Sequence, residues 1–473
     1  MLAETNPWSD GSGHALVIGG SMAGLLTARV LSERFERVTV VERDRFPEGP
    51  EFRKGVPQSK HLHVFMMRGR MIAERLFPGL SEELEEAGAV YLDSAEDFEW
   101  LTPAGFAPRF RSGLPLLMCS RDLLEWTVRE RVAALPRVRF LQKTDVTGLL
   151  PTPDGERVAA VEIRSRDGRS DTGSEEPLHA ELVVDASGRN SNASKWLEAL
   201  GYASPEETYI NSHLGYTSRI YQYPERFDGE RKGINVQATP PEVTRGGALF
   251  PLEGNRLMVT LYGVGGDYPP TDEAGFMGFA RSLRTPILYE AIRDAEPLSD
   301  ISGYRDTANR RRHYEKLSCQ PDNFLVTGDA TCAFNPVYAQ GMTTAALGAE
   351  ALEECLSESG DGDLAGLSKR FQKRLSKVNA GSWLMATGED FRVRGTEGGK
   401  ATFATRLIHR YMDQVLALSL RDIGVRRTFL EVFLMLKPPT TLFGPGIVAK
   451  VLRGASRHAT EERPAGRKLP EAA

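Results

Sequence analysis

Three features of the chain predict an α/β fold in which a domain built on a parallel sheet is interrupted by a mostly antiparallel domain and followed by helices. The chain opens on a strand, a glycine turn, an amphipathic helix and a second strand. Its middle alternates apolar and polar residues in short runs separated by Gly and Pro. Beyond residue 320 a buried strand and a long helix return.

Taken in order, "ALVI" after His14 reads as a buried strand, "LLTARVLSERF" as a helix and "RVTVVERD" as the next strand, which together make a βαβ unit. Helical spacing over His61–Phe77 predicts a helix stopped by Pro78-Gly79. A further helix is expected over Ser120–Leu135, with Ser120 as its cap. The runs "RVRFLQKTDVTGLL", "RVAAVEIRSR" and "HAELVVDASG" predict a small antiparallel meander ending in a strand that rejoins the first sheet. Residues from Tyr209 to Gly303 form the candidate substrate domain, and "NFLVTGDA" with the helix after Gly341 resumes the first domain. The expected boundaries are 14–205 and 305–360 for the domain that carries the βαβ unit and 206–304 for the candidate substrate domain. A helical region follows over 361–453, with disordered ends at 1–13 and 454–473.

With 473 residues the chain accommodates two or three domain equivalents. Lys and Arg number 59 against 64 Asp and Glu, a net charge of −5, which provides no basic field for nucleic acid. Cys119, Cys319, Cys332 and Cys355 are scattered, with neither disulfide-framework nor zinc spacing, so a cytoplasmic protein without a metal is expected. The start of the chain lacks a signal-peptide design, and no run reaches the roughly 18 apolar residues of a membrane span. Peripheral membrane contact stays open. Oligomeric state is not readable.

The turn "VIGGSMAGLL" places Gly19, Ser21 and Gly24 at the three positions of G-x-G-x-x-G, with serine in the middle. The first position makes the tight turn, the second admits a pyrophosphate close to the backbone, and the third lets helix and strand pack. Met22 and Ala23 fall at the helix start, whose free N–H groups and positive dipole end suit phosphate. Glu42 ends the second strand 18 residues beyond Gly24, where a carboxylate receives ribose hydroxyls, with Arg43 beside it. A second motif, "FLVTGDATCAFNPVYAQGM", ends a strand at Gly328-Asp329, passes Asn335-Pro336 and starts a helix of small residues at Gly341-Met342.

On these two motifs the chain resembles the FAD-dependent monooxygenases that include aromatic hydroxylases and squalene epoxidase. The resemblance implies a Rossmann-like FAD domain of the glutathione-reductase type. Asp329 then meets the ribityl chain, and Gly341 and Met342, following Pro336, start a helix under the flavin pyrimidine ring. A helix N-terminus there stabilises the negative charge of reduced flavin. Arg121 matches a flavin-contacting Arg or Gln, Val146 the strand whose backbone meets the adenine, and Arg53 or Lys54 in "FRKGVPQSKHLHV" the loop facing the flavin. His61 and His63, at i and i+2, do not share a helix face and are not read as metal ligands. The segment "VVDASGRNS" is similar to the family's D-G motif but has Ser187 where many members have Asp, so no nicotinamide contacts are carried over.

The segments "RKGVPQSKHLH", "ANRRRHYEKL" and "FNPVYAQGM" are most similar to bacterial epoxidases and hydroxylases of polyketide and polyether biosynthesis. By composition alone, "ANRRR" is a solvated basic patch. The resemblance implies reduction of FAD by NAD(P)H, addition of O2 at flavin C4a, and transfer of the distal oxygen of the hydroperoxide to a lipophilic natural-product precursor. No catalytic side chain is identified, because the cofactor carries the chemistry. Epoxidation of an alkene is expected before ring hydroxylation, since His213 is the only histidine of the substrate domain available as a base for a phenol. An aromatic hydroxylase, a flavin halogenase and an isoprenoid reductase are alternatives on the same fold. The halogenase W-x-W-x-I-P signature is missing, the five tryptophans standing singly. A flavin-free module binding prenylated proteins is the non-enzyme alternative, and it predicts a colourless protein.

Overall fold

The computed structural model describes residues 13–167, 176–224, 232–359 and 364–461. The expected disorder at 1–13 falls, apart from Gly13, outside these residues. The helix Pro445–Glu461 runs past the predicted boundary at 454, and the tail beyond it is outside the described residues.

The first sheet is parallel throughout, in the order Phe324–Val326, Leu182–Asp185, His14–Ile18, Arg37–Val41, Val138–Leu141. Its strands alternate between two cores, as the two-residue repeat of a strand requires. Ala15, Val17, Val38, Val40 and Val184 pack on the helices Met22–Leu31, Arg121–Ala133 and Gly341–Glu358. Leu16, Ile18, Val183 and Val326 pack on the meander Thr144–Pro151, Val158–Ser165, Leu178–His179. The predicted meander is therefore present, but its first run divides: Val138–Leu141 leaves it to pair in parallel with Arg37–Val41.

The second sheet has seven strands in the order Ser302–Tyr304, Gly215–Gln222, Arg256–Gly263, Arg245–Leu252, Gly233–Val236, Phe98–Thr102, Gly105–Phe106. All its pairings are antiparallel except Gly233–Val236 with Phe98–Thr102. One face, with Ile234, Leu249, Val259 and Leu261, is covered by the helices Glu273–Arg281 and Ile287–Ile292. The other face looks towards the first domain. Two strands of this sheet come from residues 98–106, inside the segment read from sequence as nucleotide-binding domain, so the inserted domain is assembled from two stretches of chain.

Two local expectations divide similarly. Ser120 caps Arg121–Ala133 as expected, its Oγ accepting from the Leu123 N–H at 3.0 Å. The helix expected over His61–Phe77 starts only at Met67 and ends at Leu76. Ahead of it the chain is held against the second sheet: His61 Nδ1 lies 2.8 Å from Ser218 Oγ, and the Leu62 N–H donates to Thr260 Oγ1 at 3.2 Å. Tertiary hydrogen bonds override the helical spacing there.

Candidate functional site

One cleft of about 660 Å³ lies between the two sheets. Of the residues singled out from sequence, Gly19, Ser21, Met22, Ala23, Glu42, Arg43, Arg53, Lys54, Arg121, Val146, Asp329, Pro336, Gly341 and Met342 line it. Gly24 does not, and its role is steric: a Cβ there would stand 1.8 Å from the Gly19 carbonyl oxygen. Gly19 itself has φ +100°, and a Cβ would meet the Ala186 carbonyl oxygen at 2.7 Å. Both positions exclude a side chain so that helix and strands meet closely. The two motifs, some three hundred residues apart in sequence, interlock: a Cβ on Gly328, at φ +60°, would lie 2.8 Å from the Ala23 Cβ.

Two helix N-termini open on this cleft. Met22–Leu31 begins after Ser21 and Gly341–Glu358 after Gln340, and in neither does a side chain cap the first turn or an acidic residue occupy it. Their first N–H groups and positive dipole ends are therefore free for an anionic or acceptor ligand.

Beneath the first turn lies a buried ionic cluster. Glu42 Oε2 accepts from the Gly20 N–H at 2.8 Å and Oε1 from the Asp44 N–H at 3.0 Å. Arg53 reaches Glu42 at 3.3 Å, Asp44 at 3.3 Å and Glu125 at 2.9 Å, and donates to the Gly20 carbonyl at 3.3 Å. Arg121 donates to Glu125 at 2.5 Å and to Ser21 Oγ at 2.8 Å, while Ser21 Oγ donates to Glu125 at 2.7 Å. Burial pushes the Glu125 carboxyl up, but Arg121 and Arg53 outweigh it and hold the group below the usual carboxylate range.

This cluster adds to two roles expected from sequence. Arg53 or Lys54 is expected to face the flavin; both line the cleft, and the Arg53 guanidinium in addition pairs with three carboxylates and a carbonyl, so it also braces the turn. Ser21 is small as required, and its hydroxyl also ties the turn to the helix Arg121–Ala133. Glu125 escaped the motif reading, although its i,i+4 spacing from Arg121 is visible in the sequence. Arg121 keeps one buried nitrogen, Nη1, without a hydrogen-bond partner among the described residues.

Asp329 receives no hydrogen bond from a described residue, and burial raises its pKa against the pull of Arg189 and Arg121. Arg189, from "VVDASGRNS", lines the cleft and donates to the Ala308 carbonyl at 2.6 Å. His63 lines it too, with Nδ1 2.9 Å from the His61 carbonyl. Burial, assisted by Arg121, pushes its pKa down to about 4, so the ring is neutral. "ANRRR" is a strut rather than a solvated patch. Arg312 donates to the Ala330 carbonyl at 2.9 Å and pairs with Glu207 at 3.2 Å, and Asn309 donates to Asp390 at 2.6 Å. His213 stands 3.2 Å from Glu397 and is not among the cleft residues. Among the described residues no His, Cys, Asp and Glu group is arranged to hold a metal ion, and no helix is long and apolar enough to cross a membrane.

The family model described as FAD binding domain matches residues 13–374. The chain belongs to the FAD-binding domain family. Protein Rv3254 of Mycobacterium tuberculosis (strain ATCC 25618 / H37Rv) is 32% identical over 380 residues, 79% of each chain. Among solved structures, the flavin-dependent brominase Bmp2 superposes with TM-score 0.66 at 14% identity, covering 95% of this chain and 100% of that one. The p-nitrophenol 4-monooxygenase PnpA of Pseudomonas putida DLL-E4 superposes with TM-score 0.62 at 18% identity over 90% and 98%. At these identities the likeness is one of fold, shared by flavin-dependent monooxygenases and halogenases.

The residues present fit FAD. Two uncapped helix N-termini, an unpartnered buried Arg121 nitrogen and a bare Asp329 carboxyl suit a ligand carrying phosphates and a polyol.

Proposed function

We propose that this protein is a flavin-dependent monooxygenase that uses FAD, NAD(P)H and O2 to epoxidise a carbon–carbon double bond in a lipophilic natural-product precursor. The carrying observation is that the cofactor cleft continues into a chamber whose sheet wall bears aromatic rings, amides and hydroxyls but no ionised side chain. That wall includes Phe98, Trp100, Asn235, Phe250, Thr260 and Tyr262, and Leu430, Phe433 and Leu434 of the C-terminal helices close it.

FAD, when bound, supplies hydride acceptance and activation of O2. The chain's own groups position and enclose it. The helix start at Met22 and Arg121 Nη1 would receive the pyrophosphate, Glu42 the adenosine ribose beside Val146, and Asp329 the ribityl hydroxyls. The start of Gly341–Glu358 would face the flavin pyrimidine ring, where its dipole favours the anionic reduced form. The apolar walls keep water from the reacting atoms. A phenol gains reactivity from a nearby base, whereas an alkene needs none, and the sheet wall of the chamber provides no such base.

The test is turnover of lipophilic alkenes and phenols with NADPH under 18O2, followed by mass spectrometry. An epoxide carrying the label is expected. A labelled phenol product moves the assignment to ring hydroxylation. A halogenated or saturated product, or an oxygenated product without label, overturns it.

A further inference from the structure

The face of the seven-stranded sheet that borders the cleft is graded in polarity. Phe98, Gly233 and Phe250 stand side by side on neighbouring strands, and the two rings close over the glycine with centroids 4.9 Å apart. A Cβ on Gly233 would sit 2.9 Å from Phe98 Cε1. One step along, Asn235 lies between Trp100 and Ala248, and beyond it Gln237 leaves the strand. Tyr262 lies flat across Gly246, where a Cβ would meet its ring at 2.2 Å, and its hydroxyl accepts from the Ala238 N–H at 3.1 Å.

Asn235, Gln237 and Tyr262 all line the cleft. The two amide side chains make no hydrogen bond to a described residue, and the Tyr262 hydroxyl proton meets no acceptor there either. Burial pushes the Tyr262 pKa up to about 12, so it remains a donor. Such groups facing an otherwise apolar wall are the few placed polar contacts by which a pocket orients its ligand. Glu42, Arg121, Arg189 and Asp329 line the opposite end of the cleft, and Glu389 lines it near Tyr338, which Tyr262 also neighbours.

We infer that Asn235, Gln237 and Tyr262 form an anchor for a neutral oxygen function of the substrate, a hydroxyl or a carbonyl, whose hydrocarbon part lies against Phe98, Trp100 and Phe250. An ionised substrate is disfavoured, because the Lys and Arg side chains that line the cleft (Arg43, Arg53, Lys54, Arg121 and Arg189) stand off this sheet, while Arg284 beside Tyr262 and Arg426 over Trp100 are not among the cleft residues. This inference rests on the monooxygenase reading for its reaction, but the anchor is a matter of binding and is measured separately.

The probes are farnesol, farnesene and farnesoic acid, which share a polyene chain and differ in bearing an alcohol, no oxygen and a carboxylate. Binding to the FAD-loaded protein at pH 7.5 is read from the perturbation of the flavin visible spectrum, and turnover from product analysis. Farnesol is expected to bind at least tenfold more tightly than either of the others, since each neutral hydrogen bond contributes roughly three- to tenfold. Asn235→Leu with Gln237→Leu is expected to abolish that preference while leaving farnesene binding within threefold. Tyr262→Phe, which removes one oxygen atom, is expected to reduce the preference by about threefold, and it decides the matter alone if the double variant fails to retain FAD.

Equal binding of farnesol and farnesene, tighter binding of the acid, a preference unchanged in Tyr262→Phe, or no binding of any probe overturns the anchor. Selective binding of farnesol without oxygenated product from any probe leaves the anchor standing and overturns the monooxygenase reading.

Discussion

Asp390 is the buried carboxyl whose titration the structure makes most readable. It ends the helix Leu367–Asp390 at 1% exposure and receives Asn309 Nδ2 at 2.6 Å, Asn335 Nδ2 at 3.0 Å and the Tyr338 hydroxyl at 2.9 Å. Burial pushes its pKa up to about 6, although these donors pull the other way. An exposed aspartate titrates near 3.9, so ionised Asp390 costs the folded state on the order of 3 kcal/mol. Between pH 4 and 6 the folded chain holds the proton more tightly than the unfolded one. Stability from this group is therefore greatest below pH 4 and is lost as pH rises through 6.

From pH 5 to 7.5 the linkage relation gives a loss of about 1 kcal/mol. Asp390→Asn cannot titrate, although its amide NH2 group faces other donors and lowers the baseline. Urea unfolding at fixed FAD concentration, followed by far-ultraviolet circular dichroism, isolates the effect. The wild type should lose about 1 kcal/mol more than Asp390→Asn between those two pH values. Parallel pH profiles for the two proteins would refute the reasoning. The loop held by Asp390 leads directly into Gly341, so the same residue supports the second helix start at the cleft.

Other substitutions probe separate parts of the argument. Asp329→Ala and Glu42→Ala should each weaken FAD retention about ten- to a hundredfold, as loss of a hydrogen bond to a charged group predicts; wild-type affinity by fluorescence titration in both would mislocate the cofactor. Gly24→Ala forces a methyl to within 1.8 Å of the Gly19 carbonyl, so the purified variant should be colourless or insoluble, and a yellow, fully loaded preparation contradicts that packing. Arg426 is 1% exposed, has no hydrogen-bond partner for Nε or Nη1 among the described residues, and is pushed down to about 10 by burial while lying 4.6 Å from the Trp100 ring. The buried charge costs on the order of 3 kcal/mol, offset by about 2 from the cation–π contact. Arg426→Met should thus raise the unfolding free energy by about 1 kcal/mol, and a loss of more than about 2 kcal/mol in urea unfolding would reverse that balance.

What was legible in the sequence was local. A strand ending in Gly19, a helix starting at Met22 and a carboxylate at Glu42 are set by backbone sterics and spacing within thirty residues, and Gly328-Asp329 with Gly341 is equally compact. Such short-range signals located most of the cofactor end of the cleft. They did not reveal that Arg53 pairs with Glu42, Asp44 and Glu125, because a guanidinium's partners depend on which carboxylates the fold brings within reach. Nor did they place Phe98–Thr102 in the second sheet, whose pairing partner Gly233–Val236 lies more than a hundred residues away.

The same physics divides the substrate end. Alternation along a strand tells which residues share a face, and so the sequence by itself determined that residues 209–303 contribute short strands with an apolar and a polar side. Which face looks into the cleft, and that Tyr262 turns its hydroxyl across Gly246 towards Ala238, follow from sheet order and from the helices packed on the opposite side. Only tertiary structure decides those, because desolvation and hydrogen-bond partners belong to neighbours in space rather than neighbours in sequence.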